Sequence, residues 1–382
     1  MTSSLGRLHY LDNLKIFLTS FVVLHHGAQA YVSTDNGWVI KDSSISQTSD
    51  KILGILLSTD NSFLMALFFL ISAFFIADSI KKKGITKYLN DRALKLLGPI
   101  VIFMFIIFPL LGILLEPNQM SPLDFLTNKY FNLHNGIITM GHTWFLANLF
   151  LFTFIYCIWH QYFDKGKYKS ISPSFRNIIL TIIILTLVTF LVRIKISTGY
   201  WTSLHLFEPA RIPSYLIMFA IGVMANKNNW FEKMNNSAMI IWLSVSIILI
   251  SSAQFIITNI LKNIDMWAMG ANFPSFALSA WDSIVCLSLS IFLILFFKKY
   301  FNKQNKLSRE MASNSFAVYL IHPFVLIPVQ SIMLNISTFP LIKFILVAIF
   351  GISLSYLVVY AFKRVRNILL KTFSFSNKIL NQ

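Results

Sequence analysis

The chain has 382 residues, 56% hydrophobic and only 12% charged, with a mean hydropathy of +0.67 and 37 phenylalanines. Soluble domains carry about 25% charged residues, so these averages exclude a soluble fold or a short anchor on a soluble body, and they leave room for about ten membrane spans of roughly 20 residues. The net charge of +17 does not point to nucleic acid, because the basic residues fall in every second loop, as the positive-inside rule requires. Cys157 and Cys286 both lie in apolar runs, which gives neither a disulfide framework nor a metal-type cysteine spacing.

The expected fold is all-α, a polytopic membrane helical bundle of about ten spans. It forms a single domain over residues 1–382, without a linker, an internal repeat or a low-complexity tract. The first span, 12–32, falls on "LDNLKIFLTSFVVLHHGAQAY". A basic start, an apolar centre and "AQA" at Ala28 to Ala30 imitate a cleaved signal peptide, but Asp12 before the centre and His25 and His26 after it argue for a retained helix. Lys15 and His26 are eleven residues apart, three turns plus about 20°, so they share a face about 16 Å apart along the axis, whereas His25 points about 100° away. A polar stripe of this kind has to line a cavity or meet partners. Lys15 could equally snorkel to the cytoplasmic interface, and His26 could bond to a loop or a lipid headgroup.

A polar loop, about 33–61, leads to a second span at 62–80, and Lys81, Lys82, Lys83, Lys87, Arg92 and Lys95 precede the third, 96–115. Arg92 and Lys95, at i and i+3 where that span leaves the cytoplasm, could grip phosphates or serve as plain positive-inside anchors. After a second polar loop, about 116–141, "GHTWFL" opens the fourth span, 142–160, with His142 and Trp144. Aromatic residues at that depth usually form an interfacial belt. Lys165, Lys167, Lys169 and Arg176 separate it from span five, 177–197, and "FEPARIPSY" leads into span six, 211–226, with Glu208 and Arg211 spaced to pair with each other. Lys227 and Lys233, span seven (237–260), span eight (279–297) and the run Lys298, Lys299, Lys303, Lys306 and Arg309 follow. Span nine, 313–335, carries His322 at mid-depth beside Pro323, a pair that packing alone does not explain. Span ten, 340–362, ends in a tail with Lys363, Arg364, Arg366, Lys371 and Lys378. The opposite loops hold Asp35, Asp42, Asp50, Asp60, Glu116 and Asp124, so both termini are expected in the cytoplasm. The two long outer loops could cover an external opening or simply connect helices.

Five of these segments, in this order, resemble the acyltransferase-3 family of integral membrane O-acyltransferases. "LDNLKIFLTSFVVLHH" is similar to that family's first-helix signature; Lys15 and His26 match its basic residue and histidine, with lysine in place of the usual arginine, which gives up a bidentate fork. "FFLISAFFI" (68–76) is similar to the second-helix stretch, with Ala73 where the family has glycine. "RALKLLGP" resembles the basic start of the third helix, "HTWFL" the start of the fourth, and "SFAVYLIHPFV" the late histidine–proline segment. The "RLHYLDNLK" opening and the "WFL" element resemble the glucan biosynthesis protein C-like subgroup.

The resemblance implies transfer of an acyl group, most often acetyl, from cytoplasmic acyl-CoA to a hydroxyl of an extracytoplasmic glycan or cell-surface polysaccharide. It implies a bacterial cytoplasmic membrane and no metal. His26 would be the general base or a transient acyl carrier, with His322 and His142 orienting it or relaying protons. Lys15, Arg92 and Lys95 would hold the CoA phosphates, and Trp144 would stack on a sugar ring in an acceptor site with Glu208 and Arg211. A proton-coupled transporter or flippase for a glycan or lipid-linked substrate is the competing class, since histidines and a basic stripe fit it too; the paired broken helices of many transporters are not evident. A membrane sensor or scaffold would not need a charged start to span three.

Overall fold

The computed structural model describes residues 8–34, 37–114, 120–132, 137–163, 172–259 and 265–380. Arg7, Asp35, Glu116, Lys165, Lys167 and Lys169 of the charge pattern lie outside the described residues, and so do the side chains of Lys371 and Lys378. The described residues contain no strand. Their main helices are α1 (His9–Ala28), α2 (Gln47–Phe74), α3 (Ile76–Lys83), α4 (Ile85–Ile102), α5 (Phe108–Leu114), α6 (Trp144–Tyr162), α7 (Phe175–Arg193), α8 (Ile212–Asn228), α9 (Asn236–Asn259), α10 (Phe273–Tyr300), α11 (Lys306–Leu334) and α12 (Pro340–Leu380). Each of the ten apolar stretches is helical over most of its described residues. Among the described residues, 7 segments are long and apolar enough to cross a membrane: 47–83, 85–114, 141–162, 175–193, 273–300, 306–334 and 340–370. The chain is a multi-pass membrane protein.

Several boundaries differ from the sequence reading. The expected outer loop at 33–61 ends at Ser46, because α2 already begins at Gln47. Its first turns bury Leu53, Leu57, Asp60 and Leu64, a helical spacing that the polar run Ser58 to Ser62 hides from an apolar-run search. Asp50 and Asp60 are therefore helical. Likewise α4 starts at Ile85, so Lys87, Arg92 and Lys95 ride on the helix. The second outer loop is partly wound: a turn at Pro122–Asp124 runs into a π-helical turn at Phe125–Tyr130, which Tyr130 ties down by donating its hydroxyl to Met104 O (2.9 Å).

The chain divides into two compact units, 1–64 with 293–382 and 65–292, the divisions falling inside α2 and α10. In the first, α1 packs against α11 and α12. Lipid tails supply no hydrophobic drive between helices, so small residues and polar ties set the packing. Gly27 brings α1 to van der Waals distance of Val347, and Gly351 leaves room for the Leu326 side chain. Near the start of α1 Asn13 donates to the carbonyls of Phe301 (2.7 Å) and Lys303 (2.9 Å), and Gln304 donates back to Asn13 (3.0 Å).

In the second unit Phe69 meets Phe145, Phe152 and Tyr215 at ring separations of 4.8, 5.1 and 5.0 Å. A Cβ at Gly222 would stand 2.2 Å from Leu70 O and 3.0 Å from the Ala73 Cβ. The close backbone approach that a glycine at position 73 would allow is thus made from the facing helix, by Gly222. Buried Arg193 binds Asp282 (2.5 Å) and Ser279 (3.3 Å), and Ser246 donates to Ser288 (2.7 Å).

The segment after α1 is firmly tied within the first unit. Lys41 donates to the carbonyls of Gln29, Val32 and Thr34, and Asp42 N donates to Ala30 O (2.9 Å). The Asp42 carboxylate accepts from Lys343 of α12 at 2.7 Å, with side chains 2% and 3% exposed. Surface pairs such as Lys83–Asp91, about half exposed, contribute about 0–1 kcal/mol, whereas breaking a buried pair costs about 3–5 kcal/mol. Burial alone would raise the Asp42 carboxyl, but the hydrogen bonds from Lys343 and Ser44 outweigh it and hold it below the ordinary carboxylate range. The pair's stabilisation is therefore complete above an ordinary carboxylate pKa of about 3.9 and is lost as pH falls through the lower folded value. Lys343→Met should cost about 3–5 kcal/mol at neutral pH and expose segment 37–46 to protease, while Lys343→Met combined with Asp42→Leu should recover most of the loss. Limited proteolysis and thermal unfolding in detergent measure both; equal damage from the single and double variants would contradict this account.

Candidate functional site around His26

His26 sits in the last turn of α1, on a helix continuous from His9. Its imidazole lies near-parallel to the Trp38 indole, with ring centroids 4.9 Å apart and planes at 19°, and to the His322 imidazole, at 5.1 Å and 25°. His25 meets it edge-on at 5.3 Å. The two sequence candidates 296 positions apart, His26 and His322, are therefore brought together. Trp38 joins them from the segment after α1.

Local chemistry fixes where the protons sit. Proline 323 has no N–H, so the helical bond to the carbonyl four residues earlier, at Tyr319, cannot form. His322, which is completely buried, takes that carbonyl through Nδ1 at 2.7 Å. A carbonyl only accepts, so the proton is on Nδ1 and Nε2 carries the lone pair. Pro323 thus explains the histidine–proline pair at mid-depth. His26 Nδ1 donates to Gln29 Oε1 at 2.7 Å, which sets the same tautomer. Both rings commit Nδ1 to their supports and keep Nε2 as the basic atom. His25 Nδ1 faces the Asp60 carboxylate at 3.3 Å, a buried helical partner rather than the loop acid expected from sequence.

Gln330 completes the surroundings. Its side chain is wholly buried. Oε1 accepts from Trp38 Nε1 at 2.8 Å, and Nε2 donates to the carbonyls of His26 and Gly27, each at 3.2 Å. The sequence reading missed Gln29, Trp38 and Gln330. Only Gln29 had a local signal, one turn beyond His26; the other two come from a loop and a helix 292 positions apart.

Lys15 also belongs to the first unit, toward the other end of α1. Its Nζ stands 3.4 Å from Asp12, with a third of its side chain exposed. The remaining candidates belong to the second unit. Arg92 donates through Nε to buried Tyr88 (3.0 Å) and lies over its ring, 5.3 Å from the centroid. Lys95 is exposed one turn further along α4. His142 stands in a 3₁₀ turn, Gly141–Thr143, edge-on to Phe103 (5.1 Å) and Phe108 (6.1 Å), the residues that begin and follow the π-helical turn Phe103–Ile107. Gly141 has φ 48°, and a Cβ there would meet the Phe108 ring at 2.6 Å. Trp144 stacks on Tyr215 (5.6 Å) and meets Trp201 edge-on (5.3 Å), while Trp201 stacks closely on His205 (4.1 Å). His205 and Leu204 both have positive φ, conformations that cost a bulky residue roughly 1–2 kcal/mol. Glu208 and Arg211 pair as their spacing anticipates: Glu208 accepts from Arg211 Nε (3.0 Å) and from Gly199 N (2.8 Å).

Among the described residues no group of three or more His, Cys, Asp or Glu could hold a metal ion. The family model described as an acyltransferase domain, acyltransferase-3, matches residues 8–363. Comparisons with curated proteins and with solved structures returned no match.

Nitrogen-15 NMR of ring-labelled histidine checks the tautomer. The resonances lost in His322→Gln should show a protonated Nδ1 and an unprotonated Nε2. In Pro323→Ala a restored amide competes for Tyr319 O, so the same resonances should become mixed. A His322 proton on Nε2 would refute the derivation.

Proposed function

Because the chain belongs to the acyltransferase-3 family of membrane acyltransferases, we propose that it moves an acyl group, most simply acetyl, from cytoplasmic acyl-CoA to a hydroxyl of an extracytoplasmic glycan or cell-surface polysaccharide. The reading takes the matched region as one acyltransferase domain crossing a bacterial cytoplasmic membrane about ten times, with both termini inside. The glucan biosynthesis protein C-like opening favours a glucan acceptor. The observation that carries the chemistry is the His26 imidazole, stacked with Trp38 and His322 and holding its proton on Nδ1.

The acceptor hydroxyl gives its proton to His26 Nε2 as its oxygen bonds to the thioester carbonyl carbon. The C–S bond breaks, and the thiolate leaves as the free thiol of CoA after taking up a proton. An imidazole can accept the proton through Nε2 and then donate it from the same atom, so it can serve both transfers. His322 supports the base by stacking, and Pro323 keeps its Nε2 basic. His142 stays a candidate proton relay. Lys15, Arg92 and Lys95 are assigned to the anionic phosphates of the donor, and Trp144, Glu208 and Arg211 to the acceptor, where an aromatic face and a polar pair suit a sugar ring. A proton-coupled transporter would also use intramembrane ionisable pairs, and thioester turnover separates the two readings.

Purified protein with acetyl-CoA and glucan oligosaccharides should release free thiol. His26→Ala should reduce this by about 10²- to 10⁴-fold, the range of a general base, with insertion unchanged. Acylated glycan should disappear from mass spectra of cells carrying that allele. Lys15→Ala and Arg92→Ala should each raise KM for acetyl-CoA about tenfold, as expected for one charge-assisted contact, with kcat held. Wild-type turnover by His26→Ala would overturn the assignment, and a loss confined to kcat in the lysine and arginine variants would overturn the phosphate role.

A further inference from the structure

We infer that Gln330 is a positioning residue: its carboxamide holds the Trp38 indole against the His26 imidazole and so sets the orientation of the proton acceptor. The inference rests on the acyl-transfer reading only for its kinetic consequence.

A primary carboxamide has one carbonyl oxygen and two N–H donors. In Gln330 the oxygen accepts from the indole N–H of Trp38, and the nitrogen donates to two backbone carbonyls, His26 O and Gly27 O. The indole can only donate and the carbonyls can only accept, so the amide has a single orientation that satisfies all three. The two carbonyls are among the last four of α1, which have no partner within their own helix. One uncharged side chain on α11 therefore ties together the end of the helix that carries His26, the ring that stacks on His26, and the helix that carries His322.

Gln330 contacts the backbone of residue 26 and not its imidazole, so it acts through others. The α1 end has further supports, since Lys41 holds Gln29 O and Val32 O while Asp42 N holds Ala30 O. Loss of Gln330 should leave that strap in place and loosen the Trp38 ring against the His26 imidazole. A purely structural glutamine would instead lower stability and leave the stack and the kinetics of the folded fraction unchanged.

The test compares Gln330→Met, Gln330→Glu, Trp38→Phe and the Gln330→Met/Trp38→Phe double variant. Methionine keeps the length and removes all three bonds. Glutamate keeps the acceptor for Trp38 but turns an oxygen toward two carbonyls. Phenylalanine keeps a stacking ring without its N–H. In acetyl-CoA-dependent thiol release, Gln330→Met should lower kcat about 10- to 100-fold with KM for acetyl-CoA within about twofold, since a small misplacement of a reacting group can cost 10²-fold. Gln330→Glu should not rescue it. The double variant should be no worse than Gln330→Met, because both changes cut the same tie. A spectroscopic arm needs no turnover. The emission assigned to Trp38, wild type minus Trp38→Phe, should brighten and shift to the red when Gln330→Met frees the indole from the imidazole. Unchanged Trp38 emission in Gln330→Met overturns the inference, as does wild-type kcat or a loss that multiplies with that of Trp38→Phe. If the wild-type protein turns over no thioester, the acyl-transfer reading fails, and the emission of Trp38 still decides whether Gln330 holds it.

Discussion

The hydrocarbon core of a bilayer contains no water, so every polar group placed there must find its partner within the protein. In this chain α1 carries the burden. It is not among the helices apolar enough to qualify as spans on their own, and a charged side chain at mid-membrane costs roughly 2.5–3.5 kcal/mol on insertion scales. Its polar residues are answered by partners elsewhere in the first unit: Asn13 by two carbonyls of the 301–303 turn, His25 by Asp60, and the end carbonyls by Gln330. The same economy recurs at Lys343 with Asp42 and at Arg193 with Asp282. Helix placement and polar satisfaction are one problem here, and the site around His26 is part of its solution.

That solution has a chemical by-product. Pro323 leaves one carbonyl without its amide, the nearest imidazole takes it, and the tautomer of His322 follows. The last turn of α1 gives Gln29 to His26 with the same outcome. In a serine–histidine–aspartate arrangement a carboxylate orients the base and also stabilises the imidazolium. Here the orienting groups are a neutral carbonyl and a neutral amide, which orient without storing charge.

The apolar stretches were legible because runs of apolar residues announce themselves by composition; each is helical over most of its described residues, and seven segments among the described residues qualify as spans. His26 and His322 were legible as candidates because histidines in apolar runs stand out, and the structure stacks the two rings. What escaped was set by contacts between distant positions or hidden by polar local sequence. The start of α2 was masked by the run Ser58 to Ser62, although Leu53, Leu57 and Asp60 share its buried face. Trp38 stands alone as an aromatic residue in a polar loop, and Gln330 is a polar residue near the end of a span; nothing local couples positions 292 apart. Asp42 likewise counted as one acid of an outer loop, and its burial against Lys343 is a tertiary fact. Glu208 and Arg211, by contrast, were legible as a pair because i and i+3 neighbours meet on a helical turn.

Lys15 shows how a departure from a family pattern can be weighed physically. The family's usual arginine would present a planar fork to the carboxylate of Asp12, three residues earlier on the same helix, and bidentate pairing is the strong form of that contact. Lysine offers a single ammonium, 3.4 Å from Asp12 on a side chain one-third exposed, which places the pair in the class that contributes about 0–1 kcal/mol. An ammonium also rotates its three donors toward an arriving anion without reorienting a rigid plane. The exchange gives up the directional grip of a planar fork and keeps a rotatable ammonium.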